Sequence, residues 1–260
     1  MKILLTGSSG FMGTHLLPLL KNYDVVLWDK KDGNDIFSEK FEEAVNNCAV
    51  VIHLAAMTDV EKSKRDSEPF YMVNVFGTAR VAYLCCKYKK KLIYLSTVQI
   101  LKPHVAPYAD SKYHAEQIVK IASKFTPTVI LRIYNVFGSG MHNNIGSIIN
   151  LFLKNKKIEI YGDGSAKRDF IHIRDVVAII HDSLKPKWNN QIVEVGTGKG
   201  TSIKELATLF ANYRSCSIKY LKGKKQTRWP LANTQLLKKL YDKKLTTNLK
   251  KDILELCQAD

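Results

Sequence analysis

The chain has 260 residues, 45% of them hydrophobic, which is enough to bury a large core and excludes a disordered or fibrous protein. No run approaches the ~18 consecutive apolar residues of a membrane span. The opening "MKILLTGSSG" runs from a strand pattern straight into a turn without a cationic leader, and the five cysteines have no metal-type spacing, so a cytoplasmic protein with reduced thiols and no metal is expected.

The net charge of +16 raises the question of nucleic acid, but only seven of the 40 basic residues are arginine. Readers of phosphate and base edges favour arginine. The lysines gather between Lys219 and Lys251 with only Tyr220, Trp229 and Tyr241 as aromatics among them, so the expectation is a solvated basic surface that favours anionic ligands rather than a nucleic-acid site.

In chain order, "KILLT" (2–6), "DVVLW" (24–28), "AVVIHL" (49–54), "KLIYLS" (91–96) and "TVILRI" (128–133) are near-continuous apolar runs, as strands covered on both faces should be. The segments between them, 11–22, 37–47, 68–90 and 108–125, carry helical spacing. Five parallel strands with right-handed crossovers follow, an α/β Rossmann-type doubly wound sheet. After Asn135 the elements shorten: helix 144–155, strand 157–160, helix 174–184, strand 191–195, helix 202–213, strand 216–221, and helices near 233–240 and 248–257. The expected organisation is a dinucleotide-binding domain over 1–135, to which 171–197 returns, and a smaller mixed α/β lobe over 136–260.

"TGSSGFMG" sets Gly7, Gly10 and Gly13 at the first strand-to-helix turn, with Phe11 and Met12 opening the helix. The first glycine permits the turn, the second admits a pyrophosphate to the backbone, and the third lets helix pack on strand. The helix N-terminus adds free N–H groups and the positive end of its dipole. Asp29, 19 residues after Gly10 at the end of the second strand, is placed to accept the hydroxyls of a ribose and to repel a 2′-phosphate. NAD is therefore expected over NADP, although Lys30 and Lys31 follow directly.

With "VIHLAA" (51–56), "VNVFGTARV" (73–81), "LST" (95–97), "YADSK" (108–112), "LRIYNVFGSG" (131–140) and "IYGDGSAKRDFIHIRDV" (160–176) in order, the chain resembles the extended short-chain dehydrogenase/reductase family, in its nucleotide-sugar epimerase/dehydratase branch. The resemblance implies that Asp35 and Ile36 flank adenine, that Ala55 and Ala56 line the nicotinamide side, and that Asn74 supports the active-site helix and a proton-relay water. It implies a homodimer through helices 69–90 and 108–125.

Tyr108 and Lys112 stand one helical turn apart, on one face. An isolated phenol, with a pKa of ~10, is a poor base at neutral pH, and a neighbouring ammonium would stabilise the phenolate. By the resemblance, Thr97, with Ser96 beside it, hydrogen-bonds the reacting oxygen, Tyr108 exchanges the proton, and Lys112 also holds the nicotinamide ribose. Family dehydratases that eliminate water follow the threonine with Asp-Glu; here the residues are Val98 and Gln99, so 4,6-dehydration is not expected. Thr97 and Tyr108 are 11 residues apart, about half the usual family separation, which trims a wall of the sugar pocket.

On the substrate side the resemblance assigns Arg168 and Arg228 to a pyrophosphate, which two guanidinium forks can hold, and Asn135 to the phosphate or sugar. Salt bridges, with Asp169 next to Arg168, are the alternative. His142 is a possible acid, since its pKa lies near neutrality, whereas His172 reads as structural. The expected activity is an NAD-dependent nucleotide-sugar 4-epimerase. The alternatives are an NAD(P)H-dependent reductase of a 4-keto-6-deoxy sugar nucleotide, with or without C3/C5 epimerisation, and an idle member that senses dinucleotide or binds RNA.

Overall fold

The structure is a computed structural model that describes residues 1–141, 148–155, 157–214, 216–223 and 229–259. Two compact units emerge, one of Met1–Ile133 with Val177–Val193 and one of Tyr134–Val176 with Glu194–Asp260. None of the described helices is long and apolar enough to cross a membrane.

The first unit is built on strands β1 (Lys2–Thr6), β2 (Asp24–Trp28), β3 (Val50–His53), β4 (Lys91–Thr97) and β5 (Thr128–Ile133). They pair in parallel in the order β5-β4-β3-β1-β2, and β10 (Gln191–Val195) adds a sixth strand beside β5. The order reverses after β1, which opens a crevice at the carboxyl ends of β1 and β3, where such sheets bind ligands. The apolar runs exist because these strands have no wet face: Ile3, Leu4, Leu5, Val51, Ile52, Leu92, Ile93, Val129 and Leu131 are fully buried. Each such side chain stabilises the fold by about 1.5–3 kcal/mol.

Helices α1 (Phe11–Leu16), α2 (Glu39–Asn46), α3 (Val60–Arg65), α4 (Glu68–Phe70), α5 (Thr78–Lys87) and α6 (Pro107–Ala122) belong to this unit, as does α8 (Ile173–Asp182) from Val177 on. The first is shorter than its periodicity suggests, because Pro18 enters a 3₁₀ turn over Leu17–Leu20. Between α4 and α5 the helix continues as a π-turn over Tyr71–Gly77, which turns Asn74 into the interior with 1% exposure.

The second unit contains β6 (Asn135–Phe137), α7 (Ile148–Lys154), β7 (Lys157–Tyr161), β8 (Lys167–Arg168), β9 (Phe170–His172), the start of α8 (Ile173–Asp182), β11 (Thr201–Ser202), α9 (Ile203–Arg214), β12 (Ser217–Leu221), α10 (Gln235–Leu240) and α11 (Leu249–Ala259). Its strands form two-stranded pairs, β6-β9, β7-β12 and β8-β11. Such small pairs do not hold themselves together, and here two buried carboxylates tie their connections. Asp169 accepts from the amides of Thr197 (2.8 Å), Gly198 (2.8 Å) and Ala232 (3.1 Å) and from the Thr197 hydroxyl (2.7 Å). Asp175 accepts from the amides and hydroxyls of Thr246 and Thr247.

Asp169→Ala would strand three amides in the interior, each costing about 1–3 kcal/mol. A stability loss of at least ~3 kcal/mol by urea unfolding is expected; a loss below ~1 kcal/mol would show that these loops are held by other contacts.

Candidate active site

The dinucleotide turn is defined by what it leaves no room for. Gly7 has φ of +70°, and a Cβ there would lie 2.6 Å from the Ala55 amide nitrogen; a Cβ on Gly13 would lie 2.4 Å from the Ser8 carbonyl oxygen. Gly10 is the N-cap of α1, with no side-chain cap, so the helix presents open N–H groups above the sheet crevice. Ala55 follows β3, with its amide donating to the Thr6 hydroxyl at 3.2 Å, and both Ala55 and Ala56 are half-buried.

Asp29 ends β2 and faces this turn: one carboxylate oxygen accepts from the Ser9 amide at 3.1 Å and the other from the Lys31 amide at 3.0 Å. Burial would raise its pKa, but these hydrogen bonds outweigh it and hold the carboxyl below its ordinary value. Lys30 and Lys31 are exposed. Asp35 is an exposed turn-former whose carboxylate accepts from the Phe37 amide, while Ile36, 9% exposed, packs into the core. The uncapped helix start, the Cβ-free cradle and the carboxylate at the ribose position fit NAD.

Beside this cradle, β4 and α6 present the reactive side chains. The two hydroxyls at the end of β4 bond different residues of α6. Ser96 donates to Glu116 at 2.7 Å, away from Tyr108, whereas Thr97 hydrogen-bonds Tyr108. Tyr108 opens α6, its amide donating to the Ser63 hydroxyl at 3.2 Å. Lys112 donates to the Leu95 carbonyl at 2.6 Å and lies 4.3 Å from the centre of the Tyr94 ring. The structure thus brings Thr97, Tyr108 and Lys112 together.

Their electrostatics differ from the expectation that the ammonium lowers the phenol's pKa. Burial pushes Tyr108 up to about 12, with the Thr97 hydrogen bond opposing it only partly, and burial pulls Lys112 down to about 7 against the raising influence of Glu116. Loss of water disfavours both charged forms, so the pair sits here as a neutral phenol beside an amine poised near neutrality.

Several supporting residues, Asn74 apart, are invisible to motif reading. Glu116, fully buried one turn beyond Lys112, receives Ser96, Arg132 at 2.7 Å and Lys120 at 3.0 Å. Burial alone would raise its pKa; Arg132 and Ser96 bring it below the ordinary value. The Asn74 amide is clamped on both sides of Met57, accepting from its N–H at 2.9 Å and donating to its carbonyl at 3.0 Å, and it also donates to Ser111 of α6 at 2.9 Å. Only one lone pair of its oxygen is left for a relay water. His53 bridges Thr6 and Thr78 beneath the turn, and burial lowers its pKa to about 3, so it is neutral.

In the second unit, Asn135 donates its side-chain N–H to the Asp169 carbonyl at 2.9 Å. Arg168 donates to the Lys167 carbonyl at 3.0 Å and has no carboxylate partner among the described residues, because Asp169 is spent on backbone amides. The salt-bridge alternative for Arg168 therefore does not form. His172 is half-buried against Phe137 and accepts from the Arg174 amide, a structural setting. His142 and Arg228 lie outside the described residues.

A doubly wound sheet with a glycine cradle and a Thr, Tyr and Lys cluster beside it defines a dinucleotide-dependent enzyme of the short-chain dehydrogenase/reductase type. The match of residues 3–196 to the NAD dependent epimerase/dehydratase family model shows that the chain belongs to that family, and its cofactor is NAD. A protein of Methanocaldococcus jannaschii named "Putative UDP-glucose 4-epimerase" is 32% identical, over 78% of this chain and 79% of the relative. The human dTDP-D-glucose 4,6-dehydratase is 29% identical, over 79% and 71%. Among solved structures, MoeE5 in complex with UDP-glucuronic acid and NAD superposes with a TM-score of 0.88 over 100% of this chain and 99% of its own, at 22% identity.

Two outcomes check the site. In Gly13→Ala the added carbon meets backbone that cannot yield, so NAD binding measured by calorimetry is expected to disappear; ordinary affinity would show that the turn is not the cradle. In NMR of isotope-labelled lysines without ligand, Lys112 is expected to be protonated below about pH 7 and neutral above it, well under the ~10.4 of lysine in a model peptide. A single titration of all lysines near ~10.4 would contradict the burial argument.

Proposed function

We propose that this NAD-dependent enzyme is a nucleotide-sugar 4-epimerase. The observation that carries this reading is the combination of a complete Thr97, Tyr108 and Lys112 cluster with no acid or base at the two positions directly after Thr97. Val98 is 4% exposed and cannot move a proton, and Gln99 carries an amide. Elimination of water needs both an acid and a base, so the human relative's dehydration is not proposed for this chain. Epimerisation needs only a proton taken and returned at one oxygen.

Thr97 positions the 4-hydroxyl; Tyr108, having passed its own proton to the neutral Lys112 amine, receives the hydroxyl proton as phenolate while hydride leaves the carbon, and returns that proton after the keto sugar has turned over. Lys112, charged when protonated, offsets negative charge on the phenol oxygen in that step. Bound NAD supplies the acceptor and then the donor of the hydride. Arg168, free of carboxylate partners among the described residues, is the proposed clamp on the substrate pyrophosphate, with Arg228 as the second guanidinium and the side-chain amide of Asn135, in β6, as a contact to the phosphate or sugar. His142 is not needed by this chemistry.

Exposed Met72, Phe76, Tyr83, Ile121 and Phe125 on and beside the π-turn, α5 and α6 support a homodimer through these helices. Sedimentation equilibrium should give twice the chain mass, and a monomer at micromolar concentration would reject the dimer.

Proton NMR of a panel of nucleotide sugars with the purified enzyme is expected to show C4 inversion without net cofactor consumption, with NAD released on denaturation. Consumption of NADPH on a 4-keto-6-deoxy sugar nucleotide, with no bound NAD, would establish a reductase instead. Tyr108→Phe should lower kcat by about 10²–10⁴-fold while NAD binding persists; unchanged kcat would remove Tyr108 from the chemistry.

A further inference from the structure

The second unit contains a cavity of about 550 Å³ that the proposed reaction does not use. Its walls are the loop after β10, helix α10 and the segment joining α10 to α11, and it includes neither Asn135 nor Arg168. Four lysines line it, Lys199, Lys238, Lys243 and Lys244, and no aspartate or glutamate does. None of these ammonium groups has a carboxylate partner among the described residues, and all four side chains are exposed. Four like charges brought to one cavity repel each other unless an anion joins them.

The floor has a different character. Phe170 is 4% exposed, Leu237 2% and Tyr241 7%, and Leu249 closes one side, so the apolar surface is larger than an inorganic anion would need. Between floor and rim stand the hydroxyls of Thr201 and Thr234, which make no protein hydrogen bond among the described residues. The framework is pinned rather than loose, because Asp169 fixes Thr197, Gly198 and Ala232 while Asp175 fixes Thr246 and Thr247. Those carboxylates are spent on amide and hydroxyl donors and do not neutralise the rim. An apolar floor, free hydroxyls and a cationic rim in a cavity within the usual ~300–1,000 Å³ of small-molecule sites describe an amphipathic polyanion.

We propose that this cavity is a second ligand site, for a nucleoside di- or triphosphate, with the nucleoside against Phe170, Leu237 and Leu249 and the phosphates among the four lysines. A lysine ammonium is a point charge that suits a mobile phosphate chain. A single-stranded nucleic acid is disfavoured, because it needs a charged groove that tracks several successive nucleotides, whereas these four lysines gather at one cavity.

The test is equilibrium binding of N-methylanthraniloyl-ATP to the full chain under saturating NAD, which fills the cradle at Gly7–Gly13. Three proteins are compared: the natural chain, the triple variant Lys238→Glu, Lys243→Glu, Lys244→Glu, and Arg168→Ala. The triple variant is expected to lose affinity by at least about tenfold, since truncating charge partners of a bound anion costs more than the ~1.4 kcal/mol that corresponds to that factor. Arg168→Ala should bind the probe unchanged. Because the substituted lysines are exposed, unchanged NAD binding and circular dichroism should show the variant to be folded; the variant carrying Gln at the same positions gives a smaller loss of the same sign.

Equal binding by natural and triple-variant proteins would overturn the site, as would loss of all probe binding in Arg168→Ala. Inorganic tripolyphosphate is expected to displace the probe more weakly than ATP, and equal potency would overturn the nucleoside part. Displacement by a single-stranded RNA oligomer at physiological salt, at lower concentration than ATP, would overturn the proposal in favour of nucleic acid.

Discussion

The close approach of the β1–α1 turn to the backbone after β3 is the constraint on which the cofactor site depends. At Gly7 the turn runs so near Leu54 and Ala55 that no side-chain carbon fits, and its positive φ excludes most residues independently. Gly13 imposes the same condition on the other side, where the helix presses against the turn it has just left. The two contacts fix where α1 begins, and hence where its free N–H groups point. Asp29 is tied to the same turn through the Ser9 amide, so the ribose position and the phosphate position move as one piece.

Burial then decides the protonation of the catalytic pair. Phenol and amine both lose water when α6 docks on β4, and each responds by favouring its neutral form. Glu116 works against this for Lys112, and Glu116 is itself kept ionised only because Arg132, Ser96 and Lys120 converge on it. The charge state of the amine is thus set two residues removed from the substrate. A uniform low-dielectric pocket would have silenced the amine; one buried and fully paired carboxylate keeps it titratable near neutrality.

Much of the fold was readable because parallel strands covered on both faces must be continuous apolar runs, as 2–6, 91–96 and 128–133 are. Strands of two or three residues, such as β6, β8, β9 and β11, have no room for periodicity and escaped notice. The glycine turn was readable because its residues answer a steric demand local in sequence. The Tyr and Lys spacing predicted proximity, but spacing carries no information on solvent, so the direction of the Tyr108 shift was misjudged and that of Lys112 was not foreseen. Which of Ser96 and Thr97 bonds Tyr108 depends on where α6 docks along β4, which local spacing does not record. Asp169 was read as a rival partner for Arg168, because the loops that claim it lie 28 to 63 residues away.

The π-turn over Tyr71–Gly77 bears on how this protein tolerates insertion and deletion. A π-turn carries one residue more than the α-helix that would replace it. Removing one residue anywhere within it would let the helix relax to ordinary geometry, and the residues upstream would swing by about 100° around the axis. Asn74 would then leave Met57 and Ser111, although no side chain in contact with it had changed. At this place chain length is the inherited quantity under constraint, and a codon lost in frame would do more damage than most codons altered.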